Sequence, residues 1–367
     1  VVLARGRPPV AAGDDLVVGP VDADPKGPNQ RLARRGLRSR LLGHDRFVGS
    51  LVDGNRVHVP TQAVSHQKIS FIASKRGRRI PRGVFSRSAV PGGVCTLTLA
   101  WRAFGDAPVA LAATRDEALD RPSEPPAVRG GGDGESESDR GGGADGDAGD
   151  VRYVAPRDAE AGGTWIGLSE RGLVVAVMNR WTDAEREGER SRGLLVRDCL
   201  TADSAEAAVR AVERELDERA YAGFNLVLAD ALGAFLLAYD GGLAVTRLDP
   251  GVHVVGNVGG VIDGAERFAV PDRRAEFGEE RADSAKRIAA ALVPGPGESG
   301  ASWLDRASGV LADHEYGACL HGDGFGTRSF TRIRTGDDLA VGYADGPPCE
   351  TPVARASVPD DVAAGRI

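Results

Sequence analysis

Ten apolar runs, none longer than seven residues, are spread over 96–343, and only two blocks show helical period and length. Runs this short cannot bury themselves singly; they must pair laterally into sheets, and the sheets must then be covered by other apolar elements. The runs at 96–101 and 108–114 flank a turn containing Gly105 and Asp106, which predicts a β-hairpin. Further strand-like runs occupy 164–168, 172–178, 224–229, 233–239, 243–248 and 252–255. The last two, 329–335 and 338–343, form a hairpin around Gly336 and Asp337. Ala205, Ala208, Val209, Val212 and Leu216 recur at helical spacing over 204–219, with Asp203 and Glu206 read as a capping box. A second helix is expected over 273–292, with Phe277, Ala285, Ile288 and Leu292 on one face. Hairpins interrupted by two helical blocks predict an α+β layered sandwich rather than alternating βα units.

The first 94 residues lack this patterning. They hold 17 basic and 6 acidic residues, whereas 95–367 hold 29 and 47. Clusters such as Arg31-Leu32-Ala33-Arg34-Arg35 and Lys75-Arg76-Gly77-Arg78-Arg79 lie among scattered Pro and Gly without helical or strand period. A basic nucleic-acid arm is one reading of 1–94; the reading adopted is a largely unstructured or mis-assigned upstream extension, absent from the mature protein. On that reading Val94 stands for a start codon, read as methionine, directly before Cys95. Lys286 is the only lysine beyond position 94. An acidic, lysine-poor surface suits a halophilic cytoplasm, where salt screens crowded carboxylates, and it opposes a nucleic-acid partner. No stretch approaches the ~18 apolar residues of a membrane span, and the sequence opens without a signal-peptide pattern, so a cytoplasmic protein without integral membrane association is expected. The acidic Gly/Ser tract 127–150 is read as a solvated insertion and 346–367 as a C-terminal tail.

Several chemistries fail on spacing. Cys95, Cys199, Cys319 and Cys349 stand far apart without a CxxC, against a zinc finger or a disulfide framework. His314-Glu315 is followed by Ala318 where a metalloprotease helix needs its second histidine. Gly322-Asp323-Gly324-Phe325-Gly326 has no following Lys-Ser/Thr and leads into a strand, so it is no phosphate cradle. Cys199 and Cys319 have apolar neighbours and read as buried small hydrophobes; Cys319 with His321 is set aside as a metal pair, and no metal or cofactor is expected. Cys349 reads as an ordinary exposed thiol. Cys95 differs: at the mouth of the first strand, directly after the presumed initiator, it would become the amino-terminal residue. Its α-amine, with a reference pKa of ~7.7–8.0, can then accept the thiol proton, so nucleophile and base come from one residue.

Cys95-Thr96-Leu97, Thr114-Arg115-Asp116-Glu117 with Arg121-Pro122-Ser123, and Ala161-Gly162-Gly163-Thr164-Trp165-Ile166-Gly167-Leu168 resemble the NRDE family, which includes the transport and Golgi organisation protein 2 (TANGO2) homologues. Ser191-Arg192-Gly193, Tyr221-Ala222-Gly223-Phe224-Asn225-Leu226 and Gly326-Thr327-Arg328 extend the resemblance, in order, over nearly all of 95–345. Thr114 stands where the family's naming motif has Asn.

This resemblance implies an amino-terminal-nucleophile (Ntn) hydrolase-like fold, a four-layer αββα sandwich over 95–345, with Cys95 as nucleophile. A more distant likeness to bile-salt hydrolases and penicillin V acylase implies that Asn179, reached from Ser169-Glu170-Arg171-Gly172-Leu173, is an oxyanion-hole residue and that Asn257 is the later catalytic Asn. Arg115 would lower the thiol pKa and Asp116 orient the α-amine, with Asp116 against Glu117 left open. Glu117, Trp165 and Arg328 are candidate substrate-binding residues. Arg328 is read either as a ligand for a carboxylate or phosphate or as a tie for the terminal hairpin. A turn role for the two asparagines, a surface pair for Arg115 and Asp116, and core packing for Trp165 are the competing readings. Two functions follow: an Ntn-type amidohydrolase or acyltransferase acting on a small-molecule amide or thioester, or a non-catalytic carrier of haem or an acyl lipid.

Overall fold

The computed structural model describes residues 93–130, 151–184, 186–336 and 339–358. The expectations for most of the extension, for 131–150 and for 359–367 lie outside the described residues.

Among the described residues the first two strands form a hairpin, β1 (Cys95–Phe104) and β2 (Ala107–Ala118), and a late hairpin pairs β13 (Phe325–Arg334) with β14 (Ala340–Ala344). On the other side of β1 the same sheet adds β10 (Gly251–Gly256), β11 (Gly259–Ile262) and β12 (Ala265–Phe268), and a two-residue β15 (Ala354–Arg355) finishes it beyond β14. The order is β12-β11-β10-β1-β2-β13-β14-β15. The second sheet runs β3 (Ser123–Gly130), β4 (Arg152–Asp158), β5 (Ile166–Ser169), β6 (Val174–Asn179), β7 (Phe224–Ala229), β8 (Ala234–Tyr239) and β9 (Leu243–Arg247), each strand next to its sequence neighbour. All the pairings are antiparallel.

Strand alternation sorts side chains into layers. Leu97, Leu99 and Trp101 of β1 meet Ile166, Leu168, Val174 and Val227 of the second sheet, forming the central layer. The opposite face of the first sheet, through Ala100, Ala110 and Ala112, packs on Ile288 of α3 (Ala275–Ala291) and on Trp303 and Leu311 of α4 (Gly300–Ala312). The second sheet turns Val175, Leu226 and Leu228 toward Leu195 and Leu200 of α1 (Arg192–Leu200) and Val209 and Val212 of α2 (Ala205–Glu218). The result is the expected αββα sandwich. Its inner strands are covered on both faces, which is why 108–114 and 224–229 read as near-continuous apolar runs.

Some local expectations are corrected. α2 is capped by the Ser204 hydroxyl, which accepts from the Ala207 N–H (3.1 Å), while Asp203 pairs with Arg171 and Glu206 with Arg210. Residues 127–130 are the end of β3, not a loop: Ala127 pairs with Ala155 and Gly130 with Arg152. Pro125 and Pro126 cannot donate to that ladder, and its register shifts between Glu124 and Ala127. Helices α1 and α4 were not foreseen; α4 carries glycines at 300 and 309 and α1 has little amphipathic contrast.

Asp230, in the turn after β7, links three layers. Its carboxylate accepts from the N–H groups of Ala205 at the start of α2 (2.6 Å), Leu232 (2.7 Å) and Gly233 (2.8 Å), and its carbonyl accepts from the Trp101 indole (2.8 Å). Asp230→Ala leaves three buried or half-buried donors unpaired, so it should lower stability by about 2–3 kcal/mol. The urea midpoint should fall with an unchanged slope; an unchanged midpoint would remove this link from the account.

Candidate active site

Cys95 begins β1 opposite Arg115 of β2, so the hairpin that closes on Gly105 brings both to the same rim of the first sheet. Thr114 to Glu117 continue β2 beyond the central layer, and β13 pairs alongside with Thr327 opposite Asp116. One extra residue, Arg328, is accommodated there as the register shifts between Thr327 and Ser329. Asn179 is the last residue of β6. Asn257 lies in the two-residue turn between β10 and β11, where Gly256 pairs with Gly259 and Gly259 takes φ +106°. A Cβ at Gly259 would also sit 2.1 Å from the Arg267 carbonyl oxygen.

These strand ends meet. The Cys95 backbone N–H donates to Asn257 Oδ1 (3.2 Å). Asn257 Nδ2 donates to the Gly93 carbonyl (2.9 Å) and to the Asn179 carbonyl (2.8 Å), and Asn179 Nδ2 reaches the same Gly93 oxygen at 3.5 Å. Asp116 N–H holds the Val94 carbonyl (3.0 Å). A cleft of about 140 Å³ is lined by Cys95, Arg115, Asp116, Glu117, Trp165 and Asn179, together with Asp158, Arg121, Arg192 and Gly93. It is small beside the ~300–1,000 Å³ of typical ligand pockets. Cys95, Arg115, Asp116, Asn179 and Asn257 are therefore gathered, and Glu117 and Trp165 stand with them. Arg328 is not among the lining residues; its Nη1 pairs with Asp345 (2.6 Å), tying β13 to the end of β14.

Arg115 acts to lower the Cys95 thiol pKa, as expected, but other influences set the net direction. Burial, followed by the negative charge of Asp116, pushes the Cys95 thiol up to about 12. Arg115 acts in the opposite direction but is outweighed. Its guanidinium is committed elsewhere: Nη2 lies 3.4 Å from Asp158 and 3.9 Å from Glu117, and the group stacks 4.2 Å over the Trp165 ring. Burial raises the Asp116 carboxyl from 3.8 to about 8, against the hydrogen bond from Thr327 Oγ1 (2.6 Å) and the charge of Arg281. Asp116 Oδ2 and Arg115 Nη1 are buried without a hydrogen-bond partner among the described residues.

Sequence reasoning missed four supporting residues, although three of them stood inside the motifs already quoted. Thr327 holds Asp116; Arg121 holds Asp158 (2.8 Å), which steadies Arg115; Arg192 lines the cleft and donates to the Gly223 carbonyl (2.8 Å). Gly163 and Gly193 let two backbones touch: a Cβ on Gly163 would lie 2.3 Å from the Gly193 carbonyl carbon, and Thr164 N–H donates to Gly193. That contact places the start of α1 beside Trp165.

The family described as Transport and Golgi organisation 2 matches residues 94–267. No curated protein sequence matches the chain. Among solved structures, the chain is similar to a Caenorhabditis elegans N-acylethanolamine-hydrolyzing acid amidase ortholog at 11% identity and TM-score 0.41, covering 65% of this chain and 92% of that one. It is also similar to a conjugated bile acid hydrolase from Clostridium perfringens at 9% identity and TM-score 0.39, covering 72% and 97%.

The raised carboxyl of Asp116 has a consequence for stability. Between about pH 4 and 8 the folded chain keeps a proton that the unfolded chain releases, so stability is full below 3.8 and declines as pH rises through about 8. Asp116→Asn should remove this decline. Urea midpoints across that range should show the variant gaining on the parent as pH rises; parallel curves would mean that Asp116 is ionised in the folded chain.

Proposed function

We propose, on the match of residues 94–267 to the TANGO2 family, that the chain is an Ntn-type hydrolase or acyltransferase whose nucleophile is Cys95 once the residues before it are removed. One observation carries the reading. The side-chain amides of Asn257 and Asn179 converge on a single carbonyl oxygen, that of Gly93, two residues before the thiol. A pair of preorganised N–H donors aimed at one oxygen is what acyl transfer requires for the charge that develops on a carbonyl. Removal of Gly93 would hand both donors to a substrate carbonyl.

The same cut frees the Cys95 nitrogen, now an amide N–H on Asn257 Oδ1, as an α-amine. In the proposed reaction that amine takes the thiol proton and the thiolate attacks the acyl carbon. The C–N or C–S bond of the substrate then breaks, with its leaving group taking the proton back, and a Cys95 thioester remains. Water resolves the thioester in a hydrolase; an incoming amine or thiol does so in a transferase. Asp116 supplies negative charge for the α-ammonium through its unpartnered oxygen. Arg115, Glu117 and Trp165 form the polar wall of the cleft. Val94 is buried among Trp181, Val258 and Ala282, so its departure leaves an apolar recess beside the new amine, suited to an apolar portion of a small-molecule amide or thioester. Arg328 has no part in this scheme.

The carrier reading, with haem or an acyl lipid as cargo, is favoured by one feature: with Val94 attached, Cys95 is a neutral, poorly nucleophilic thiol. A chain beginning at Cys95 separates the two. Its Cys95 should alkylate at neutral pH faster than Cys95 in the full chain, and an amide and acyl-CoA panel should yield an acyl-enzyme mass shift that Cys95→Ala lacks. Asn257→Ala should lower kcat by about 10²–10³. Equal labelling in both chains with no mass shift would sink the hydrolase and leave the carrier.

A further inference from the structure

On a part of the chain beyond the family match, four soft or borderline donors come together. His314 follows α4, Cys319 and His321 lie in the segment leading to β13, and Cys349 follows β14. Their ligand atoms all lie within 4.8 Å of one another. The Cys319 and Cys349 sulfurs are 3.5 Å apart, His321 Nε2 is 3.1 Å from Cys349 Sγ and 3.7 Å from Cys319 Sγ, and the His314 and His321 rings stand edge to face at 5.1 Å. We infer that His314, Cys319, His321 and Cys349 form a structural metal site for a tetrahedral divalent cation of the zinc type.

Metal–sulfur bonds of ~2.3 Å and metal–nitrogen bonds of ~2.0 Å around a tetrahedral centre imply donor separations of roughly 3.3–3.8 Å. The Cys319–Cys349 and Cys319–His321 distances of 3.5 and 3.7 Å lie in that range, and with all four donor atoms within 4.8 Å of one another shifts on the order of 1 Å complete the set. Two thiols and two imidazoles, with no carboxylate in the set, select zinc over the oxygen-seeking cations. Deprotonation of both thiols on binding makes the centre neutral, which suits its half-exposed position with Cys319 buried and the other three donors exposed.

The donors are carried by braced backbone. Gly317 takes φ +75°, which sharpens the turn between His314 and Cys319. That turn is fastened to α3 by Ser284 Oγ on the Tyr316 carbonyl and Arg281 Nη1 on the Gly317 carbonyl (2.6 Å). Leu320, between two ligands, pairs both backbone groups with Thr327: its N–H donates to Thr327 Oγ1 (2.9 Å) and its carbonyl accepts from Thr327 N–H (2.9 Å). The hydroxyl that accepts from Leu320 is the one that donates to Asp116, so the metal loop also braces the rim of the cleft. Cys349 sits in a turn closed by Glu350 and Thr351 N–H on the Pro347 carbonyl.

Cys319 is buried and Cys349 exposed, as expected; the proposed site gives both, and His321, a ligand role as well. The fourth donor arrives 28 residues after His321, a separation no short motif encodes.

The full chain, reduced and freed of metal with a chelator, should bind one equivalent of Co²⁺ with the intense visible bands of tetrahedral cobalt and a near-ultraviolet thiolate charge-transfer band. Zn²⁺ should displace the cobalt and protect Cys319 and Cys349, but not Cys199, from alkylation under mild denaturant. Cys349→Ser, at an exposed position, should remove much of the charge-transfer intensity and weaken binding by at least ~10–100-fold, whereas Cys199→Ser should leave the spectrum unchanged. Octahedral cobalt without a thiolate band, or binding indifferent to Cys349→Ser, overturns the proposal. A Cys319–Cys349 disulfide whose reduction restores no cobalt binding overturns it equally.

Discussion

The central strands of the first sheet are covered on both faces, by the second sheet on one side and by α3 and α4 on the other. Such strands have no face on which to carry a polar side chain cheaply, since an unpaired buried polar group costs several kcal/mol. The candidate site residues accordingly stand at strand ends. Cys95 starts a strand, Arg115 to Glu117 end one, Asn179 ends another, and Asn257 caps a third. The candidate site lies on the rim of that core, where the ladders stop.

At that rim Asn257 does more than line a wall. Its amide spends its acceptor on Cys95 and both donor hydrogens on carbonyls from Gly93 and Asn179, so it joins the start of β1 to the end of β6 across the two sheets. With Val94 attached the charged forms of both Cys95 and Asp116 are disfavoured by burial, and the cluster is held neutral. A free amine at Cys95 changes that balance, because a cation beside Asp116 favours carboxylate and thiolate together.

The layered architecture was legible from hairpin runs and helical blocks, because two-sided burial writes itself as apolar continuity. Elements whose residues are half-exposed or conformationally awkward were not: β3 contains Pro125-Pro126, β12 is exposed over most of its length, and α4 spends positions 300 and 309 on glycine. The candidate cleft was legible because its residues stand in motifs with order. The state of Cys95 was not, since the effect of Arg115 depends on Asp158 and Glu117 sharing its charge and on how much water the thiol keeps. The grouping around Cys319 was hidden for a different reason: sequence separation carries no information about a tail folding back.

The outermost strands of both sheets share one property. β3 is interrupted by two prolines, β9 and β12 face solvent with Arg247, Glu266 and Arg267, and β15 is only two residues long. Free peptide groups along a sheet border are a template on which another chain can add a strand, and prolines, charges and brevity each deny it that register. Among the described residues, both borders of each antiparallel sheet thus carry features that oppose edge-to-edge pairing with another chain.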